Sequence, residues 1–310
     1  MILTVTLNTA LDLTYAVPAL VPHSSHRVSE VTERPGGKGV NVARVLSALG
    51  HDTVVTGFAG GSTGTVLREL LVALPQGPTD ALVTVAGNTR RTLAVVDRSS
   101  GDTTQLNEPG PHIGAGEWAA FLGTFGDLLP RAEAVALCGS LPPGVHVGAY
   151  AELVRLARSA GVPVLLDTGG EPLRRGIAAR PDLVKPNAEE LAQLTGAREP
   201  LRATRDARRR GAHSVVTSLG PDGLLAVTPD GIWRAAPPAA VRGNPTGAGD
   251  SAVAGLLSAL AEGLGWQDRL ARAVALSTAT VLAPAAGEFD REAYEDLLPR
   301  VVVEQHTPAA

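Results

Sequence analysis

Cysteine is almost absent from this sequence, since Cys138 is the only one among 310 residues. This excludes an internal disulfide and any zinc or iron–sulfur site built from several cysteines. The seven histidines show no spacing typical of a metal site. Aromatic residues make up only 3% of the chain, so Ala, Val and Leu must form most of the core.

The sequence also lacks a strong charge of either sign. It has 27 Lys plus Arg against 31 Asp plus Glu, a net charge of -4, which is too weak to indicate a nucleic-acid partner. One stretch is rich in arginine, with Arg198, Arg202, Arg205 and Arg208–Arg210. No aromatic residues alternate with these arginines, so the stretch is interpreted as a solvated helix face.

Long hydrophobic runs are missing as well. No apolar stretch approaches the ~18 residues of a membrane span, so no membrane partner is expected. No basic residue precedes Arg27, and Asn8 and Asp12 interrupt the apolar start, so a secretory signal is not expected either. A cytoplasmic location is predicted.

The second half of the chain alternates between short apolar strands and Ala/Leu-rich helices. This alternation predicts the α/β class, with a mainly parallel sheet between two layers of helices. Strands in the first hundred residues are half polar and do not fit such a sheet. They predict a small second sheet that forms a lid, with strands drawn from about 12–34 and 90–107. Since no linker composition interrupts the chain, residues 1–310 are predicted to form one domain.

The densest group of small residues is Gly247-Ala248-Gly249-Asp250, directly before an apolar helix. Exposed backbone N–H groups at a helix start can bind an anion, and a carboxylate there can act as a base toward an attacking hydroxyl. Asp250 could instead only stabilise the first helical turn. A dinucleotide fingerprint over Gly247, Gly249 and Ala252 is a weak match, because Arg242–Pro245 precede it in place of a buried strand.

A second glycine-rich group is Gly36-Gly37-Lys38-Gly39, followed by Asn41. It is not a P-loop, because Lys38 is followed by glycine where Ser or Thr should hold magnesium. Bare backbone, a lysine and an amide nevertheless suit a phosphate and hydroxyl groups. The alternative is a glycine turn with a surface lysine.

Several motifs follow one another in the order typical of one family. They are Thr6-Leu7-Asn8 with Asp12, Pro35–Arg44, Thr89-Arg90, Asn107–Pro111, Gly139–Gly144, Asp167, Lys185–Glu190, Ser218–Gly223 and Asn244–Ser251. Together they resemble the ribokinase/PfkB carbohydrate kinases, in particular the phosphosugar branch of 1-phosphofructokinases, tagatose-6-phosphate kinases and minor 6-phosphofructokinases. The resemblance implies a ribokinase-like three-layer α/β/α fold with a β lid that closes on the sugar.

The resemblance also implies roles for individual residues. Asp250 would be the catalytic base, with the amides of Gly247, Ala248 and Gly249 as the anion hole. The sugar phosphate would contact Asp12, Arg27, Gly36, Gly37, Lys38, Asn41, Arg90 and Ser140. ATP would contact Lys185, Asn187, Ser218, Gly220, Gly223 and Gly249, while Glu190 would order Mg²⁺ through water. Pairing of two lids into a homodimer is expected by the same resemblance.

Each of these roles has a plainer structural alternative. Asp12 could be a turn acid, Asn187 with Glu190 a helix capping box, and Ser218–Gly223 a hairpin turn.

The function predicted is an ATP-dependent kinase that phosphorylates a hydroxyl of fructose 1-phosphate, fructose 6-phosphate or tagatose 6-phosphate to give the bisphosphate. Pro22, His23, Ser25 and His26 depart from the usual residues of the branch where the sugar phosphate should bind, so the exact sugar stays open. The alternatives are a kinase of an unphosphorylated sugar or nucleoside and a non-catalytic sugar-phosphate-binding protein. A dehydrogenase ranks last.

Overall fold

The computed structural model describes residues 1–28, 30–283 and 285–306. Its strands, in chain order, are β1 Ile2–Thr6, β2 Ala10–Val17, β3 Glu30–Gly36, β4 Thr53–Gly60, β5 Thr79–Val85, β6 Arg90–Asp97, β7 Thr103–Asn107, β8 Ala134–Cys138, β9 Val164–Asp167, β10 Leu183–Val184, β11 Ser214–Ser218, β12 Leu224–Thr228, β13 Gly231–Ala236 and β14 Val302–His306.

The helices are distributed between these strands. They are α1 Lys38–Ala48, α2 Gly61–Val72, α3 Ala115–Leu128, α4 Ala149–Ser159, α5 Gly170–Ala178, α6 Ala188–Thr195, α7 Pro200–Arg209, α8 Ala248–Ala261, α9 Trp266–Val281 and α10 Arg291–Leu297. Short 3-10 turns lie at Leu129–Arg131, Gly220–Asp222 and Leu298–Arg300. No helix among the described residues is long and apolar enough to cross a membrane.

Within the described residues the larger sheet has ten strands, in the order β14-β13-β12-β11-β10-β9-β8-β1-β4-β5. The seven strands from β11 to β5 in this order are parallel. The remaining three extend the sheet beyond β11 as antiparallel neighbours. Strands β1 and β8 are buried along their whole length, as expected for parallel strands covered by helices on both faces.

Side-chain alternation along the strands divides the interior into separate apolar cores. In β1, Leu3 and Val5 pack into the core beneath α3 to α7. Ile2 faces the opposite core, which is formed with α1, α8, α9 and α10. The sheet thus lies between two helical layers, which confirms the predicted ribokinase-like α/β/α arrangement.

The half-polar strands form the separate small sheet that the sequence predicts, in the order β3-β2-β6-β7. Strands β6 and β7 make the predicted hairpin, and β2 runs parallel to β6. The two faces of this sheet differ. Asp12, Arg34, Arg90 and Thr92 share one face, while the other face is mainly apolar, with Leu13, Tyr15, Val31, Leu93, Val95 and Leu106.

The start of α1 approaches the backbone of β1 closely. A Cβ atom added at Gly39 would lie 2.3 Å from Thr6 Oγ1 and 2.7 Å from the carbonyl oxygen of Val5. Only glycine permits this approach, which fixes the position of the neighbouring Lys38.

We predict that Gly39→Ala destabilises the fold by about 1–3 kcal/mol, because the added methyl group must push α1 away from β1. Gly126→Ala in α3 is the control, since a Cβ there meets open space. It should stabilise the helix by about 0.5–1 kcal/mol. Urea unfolding of both variants measures the difference. Equal midpoints for Gly39→Ala and the wild type would disprove the tight contact.

Candidate active site

The polar residues of the candidate site collect at the carboxyl ends of the parallel strands. Asp167 is the last residue of β9, Lys185 follows β10, and Ser218 ends β11. Gly139 follows β8 in the same sheet. Ligands of open α/β sheets bind at this edge, which makes it the place to look for a reaction centre.

A buried carboxylate forms the centre of this edge. Asp167 is only 1% exposed, with Lys38 Nζ 3.3 Å from its Oδ2 and Lys185 Nζ 3.4 Å from its Oδ1. Burial alone would raise the pKa of Asp167, but Lys185 and Lys38 together lower it below its usual value. The same pairing raises the pKa of Lys38. Two lysine side chains therefore lie beside one buried carboxylate whose pKa they lower.

Asp250 lies in the first turn of α8, whose N-cap is Gly247 with a left-handed φ of 84°. Its side chain is buried, and its Oδ2 accepts a hydrogen bond of 2.9 Å from Asn41 Nδ2. Burial raises the pKa of Asp250 to about 6, although the charge of Lys38 opposes this effect. A carboxylate with such a pKa is ionised at neutral pH and still able to accept a proton.

The N-terminus of α8 opens onto a cavity of about 600 Å³. Ala248 and Gly249 line it, together with Asn187, Ser218, Gly220 and Gly223. Lys185 Nζ lies 3.6 Å from the position that a Cβ of Gly249 would occupy, so the lysine stands beside the exposed helix start. Ala248 and Gly249 thus border the same space as four of the predicted nucleotide residues, while Gly247 does not line it. The N–H of Ala248, predicted to be part of the anion hole, donates to the carbonyl of Pro245 at 3.1 Å.

The cavity also has a wall that the sequence did not indicate. The segment from Pro237 to Pro245, which links β13 to α8, lines it together with Val274 and Val281 of α9. Apart from Asn244-Pro245, which opens a family motif, these positions were given no role in the sequence, and the fold identifies them as cavity wall.

The capping alternative for Asn187 and Glu190 is present in the structure. Asn187 Oδ1 accepts from the backbone N–H of Glu190, and Glu190 Oε2 accepts from the backbone N–H of Asn187, both at 2.8 Å. Both residues therefore stabilise the start of α6. Glu190 Oε1 accepts no hydrogen bond from any described residue. Among the described residues, no group of three or more His, Cys, Asp or Glu could hold a metal ion.

The small sheet presents Asp12 and Arg90 on its polar face. Asp12 Oδ1 accepts a hydrogen bond from the hydroxyl of Thr92, and burial raises the pKa of Asp12. Arg90 Nε donates to the carbonyl of Asn8 at 3.2 Å, which fixes the guanidinium near the end of β1. A Cβ at Gly36 would overlap the Asp12 carboxyl at 2.1 Å, so glycine is required beside this acid.

Two arginines and one glutamate link the small sheet to the main body. Glu288 Oε1 accepts from Arg34 Nε of β3 and from Arg44 Nη2 of α1, each at 2.9 Å. Arg44 also donates to the carbonyl of Ala286. Ala286 lies directly behind Gly247, where an added Cβ would come within 2.7 Å of its Cα. The bridge therefore connects β3 to the segment that supports the helix start.

Asn8 joins β1 to two further motifs. Its Nδ2 donates to the carbonyl of Pro109 and to Ser140 Oγ, both at 3.1 Å. Its Oδ1 is buried and has no hydrogen-bond partner among the described residues. The predicted Ser140 is thus held near the chain that leaves β7.

Arg27 is the predicted site residue that the structure does not bring to this group. It is exposed in the loop between β2 and β3, and its side chain makes no hydrogen bond or ion pair with any described residue.

Gly37, which has a φ of 103°, forms the N-cap of α1 directly before Lys38.

Comparisons with known proteins agree with this geometry. A family model described as pfkB family carbohydrate kinase matches residues 4–292. The chain belongs to the pfkB family of carbohydrate kinases. A 1-phosphofructokinase from Rhodobacter capsulatus is 39% identical to this pfkB-family chain over 291 residues, covering 91% of this chain and 92% of the relative.

Solved structures of the pfkB-family fold superpose over almost the whole chain. A protein from Thermotoga maritima, described as a possible 1-phosphofructokinase, has a TM-score of 0.90 at 29% identity and covers 99% of this chain and 100% of its own. Phosphofructokinase-2 from Escherichia coli, in its complex with fructose 6-phosphate, has a TM-score of 0.86 at 30% identity, covering 96% of this chain and 98% of its own. These comparisons confirm the resemblance stated from the motifs.

Some residues at the centre of this pfkB-family site carried no assigned role in the sequence. Asp167 and Arg44 belong to the motifs of the family, but their residue types alone do not reveal a central position. The available signal for Asp167 was its place at the end of an apolar strand, where a buried acid indicates a site at the sheet edge.

We predict that Asp250→Asn unfolds at higher urea concentration than the wild type at pH 8, by on the order of 1–3 kcal/mol. The folded pKa of Asp250 lies above its unfolded value, so proton binding stabilises the fold fully below pH 4. This stabilisation is lost as the pH rises through about 6, because the buried carboxylate becomes charged. Asparagine stays neutral and carries no cost of burying a charge. The advantage of the variant should therefore shrink at pH 5. Asp102→Asn, on an exposed hairpin, is the control. An advantage that does not change with pH would contradict the raised pKa.

Proposed function

We propose that this chain is an ATP-dependent kinase of ketohexose phosphates with fructose 1-phosphate as its substrate. The observation that carries the kinase function is the buried Asp250, held by Asn41 at the glycine-rich start of α8 beside the two lysines of Asp167. The choice of sugar follows the 39% identical 1-phosphofructokinase. Fructose 6-phosphate ranks second, because it is the ligand in the E. coli structure.

In the proposed reaction Asp250 accepts the proton of the attacking hydroxyl. Its pKa of about 6 leaves it ionised at neutral pH, while Asn41 fixes the direction of the carboxylate. We assign the amides of Gly247 and Gly249 to the negative charge that develops on the transferred group, whereas the N–H of Ala248 already donates to the carbonyl of Pro245 at 3.1 Å. Lys185 adds a positive charge at the same place. Phosphoryl transfer depends mainly on such positioning and neutralisation.

ATP fits the cavity of about 600 Å³ in front of α8. We assign Lys185, Asn187 and Ser218 to its phosphates, with Gly220 and Gly223 allowing close approach of the backbone. The apolar wall that contains Val241, Val274 and Val281 suits the flat face of a base.

Mg²⁺ is proposed to act with the nucleotide, where it would neutralise phosphate charge. Glu190 Oε1 has no hydrogen-bond partner among the described residues, and it is the oxygen we assign to a metal-bound water. A site that relies on phosphates, waters and one carboxylate is typical of Mg²⁺ in kinases.

The sugar phosphate is assigned to the polar face of the small sheet and to the start of α1. Asp12, Gly36, Gly37, Asn41 and Ser140 would face its hydroxyls. Lys38 and Arg90 would bind its phosphate, since charge-assisted hydrogen bonds to phosphate contribute about 1.5–3 kcal/mol each. Arg27 can join them only if its loop moves inward.

A homodimer through the small sheet is the proposed assembly. The face of this sheet opposite Asp12 carries apolar side chains, of which Val31 is 54% and Leu106 is 59% exposed. Both belong to the edge strands β3 and β7, whose backbone groups also need a partner. A second copy of this face would cover the apolar side chains.

A cytoplasmic location is also proposed for the chain.

The function is tested by phosphorylation kinetics with fructose 1-phosphate, fructose 6-phosphate, tagatose 6-phosphate and fructose. We predict the highest kcat/KM with fructose 1-phosphate. Arg90→Ala should raise KM for the sugar phosphate about 10- to 150-fold while KM for ATP stays within about twofold.

Asp250→Asn is the control for chemistry in this assay. It should lose about 10²–10⁴-fold in kcat and keep its affinity for ATP. The assignment of the sugar phosphate to Lys38 and Arg90 would be refuted if fructose were phosphorylated as efficiently as its phosphates. It would also be refuted if Arg90→Ala raised KM for ATP more than KM for the sugar phosphate.

For the assembly we predict that light scattering at micromolar concentration gives a dimer, and that Val31→Glu converts it to a monomer by placing a charge on the apolar face. Val72→Glu is the matched control, because Val72 is 79% exposed on α2, outside this sheet. A wild-type monomer with full activity would rule out the dimer.

A further inference from the structure

A second large cavity lies at the opposite edge of the main sheet, away from the candidate active site. It has a volume of about 780 Å³. Arg180 and Asp182 directly precede β10, and His213 directly precedes β11, so all three lie at the amino ends of these strands. The other ends of the two strands carry Lys185 and Ser218. The two cavities are therefore separate spaces on opposite edges.

Arginines dominate the lining of this cavity. They come from α4, from α7 and from the turn before β10, and they are Arg158, Arg180, Arg205, Arg208 and Arg209. Among the described lining residues Asp182 is the only acid, and its Oδ2 accepts the backbone N–H of Val164 at 2.9 Å. Such a concentration of positive charge is notable because the chain as a whole has a net charge of -4.

Three of these guanidinium groups have partners among the described residues. Arg158 Nη1 donates to the carbonyls of Arg180 at 2.6 Å and Ala179 at 3.4 Å, and Arg208 Nε donates to the carbonyl of His213 at 2.8 Å. Arg209 Nη1 pairs with Asp206 Oδ1 at 3.1 Å. Because a guanidinium has five N–H donors, most donors of each group remain available. Arg205 makes no hydrogen bond or ion pair with any described residue. The cavity thus holds partly fixed cations with unused donors.

The backbone beside the cavity is unusual too. Arg180 has a φ of 64°, in the left-handed region that costs free energy for a residue with a side chain. Glycine would be the ordinary residue at such a turn. The presence of arginine there is consistent with a requirement for its charge.

We propose that this cavity binds a small anion that carries two or more phosphate groups. Guanidinium groups form paired hydrogen bonds with phosphate oxygens, and several of them around one space match several phosphates. The volume lies in the range of small-molecule sites, about 300–1,000 Å³. The described lining residues include no Phe, Tyr or Trp ring on which successive bases could stack, so the site favours a small anion over single-stranded nucleic acid.

Isothermal titration of the full chain with inorganic tripolyphosphate at 0.15 M salt tests the site. The double variant Arg180→Gly/Arg209→Ala removes two of its cations, and glycine fits the left-handed turn. Its matched control is Arg198→Ala/Arg202→Ala, which removes the same charge next to and within α7 but outside the cavity. We expect the first variant to lose one binding site or to bind at least 10-fold more weakly there. The control should change by less than about threefold.

Two results would overturn the proposal. Equal weakening in both double variants would mean that binding follows net charge alone, and unchanged binding in the cavity variant would place all the affinity elsewhere. ADP binding to both variants verifies that the cavity in front of α8 is intact. Competition by ATP and by fructose 1,6-bisphosphate then separates a nucleotide from a sugar bisphosphate as the source of the phosphates.

Discussion

The pairing of Asp167 with Lys38 and Lys185 is the interaction on which the rest of the candidate site depends. Lys38 begins α1 and Lys185 follows β10, so one buried carboxylate connects elements that are far apart in the sequence. Removing the carboxylate would leave two nearby cations without a partner, at a cost of several kcal/mol for the buried one. Burial raises the pKa of Asp250, and both lysines oppose this rise, whereas the Asp167 charge adds to it.

The position of Lys38 in turn depends on how closely α1 can approach β1. Gly39 allows contact with Thr6 and Val5, and Gly37 provides the left-handed turn at the N-cap. Asn41, one turn further along α1, reaches the carboxylate of Asp250. A backbone constraint at two glycines therefore positions a cation and an amide that both oppose the larger effect of burial, which raises the pKa of Asp250.

The fold was largely predictable because its signals are local. Buried apolar strands such as β1 and β8, helices such as α6 with its Gly196 end, and the β6–β7 hairpin follow from periodicity and turn residues. Strands β12, β13 and β14 were missed, since the edge of a sheet has weak apolar patterns and depends on its neighbours for stability. Helix α5 was also missed, because it begins with Gly170 and contains Pro172.

The candidate site was predictable only where a motif marked it. The glycine-rich starts of α1 and α8 stand out in the sequence. Asp167, in contrast, is a single acid at the end of a strand, and its partners Lys38 and Lys185 lie 129 residues before it and 18 residues after it. Glu190 shows a further limit, because its Oε2 accepts the hydrogen bond of the capping box, whereas the role proposed for it near Mg²⁺ would use Oε1 of the same side chain. Residue type could not separate these two roles. The Pro237–Pro245 wall of the cavity in front of α8 becomes visible only in the fold, where it lies beside Val274 and Val281 of α9.

Glu288 is shared by Arg34 of the small sheet and Arg44 of α1, and the two ion pairs differ in exposure. Arg44 is buried, whereas the side chains of Arg34 and Glu288 are 26% and 34% exposed. If the small sheet moved away from α1, the Arg34 contact would break and the more buried Arg44 contact would remain. Because water would replace the lost partner of a partly exposed pair, this loss would cost only about 1 kcal/mol or less. Arg44 would keep its hydrogen bonds to Glu288 and to the carbonyl of Ala286, so the segment behind the start of α8 would keep its support.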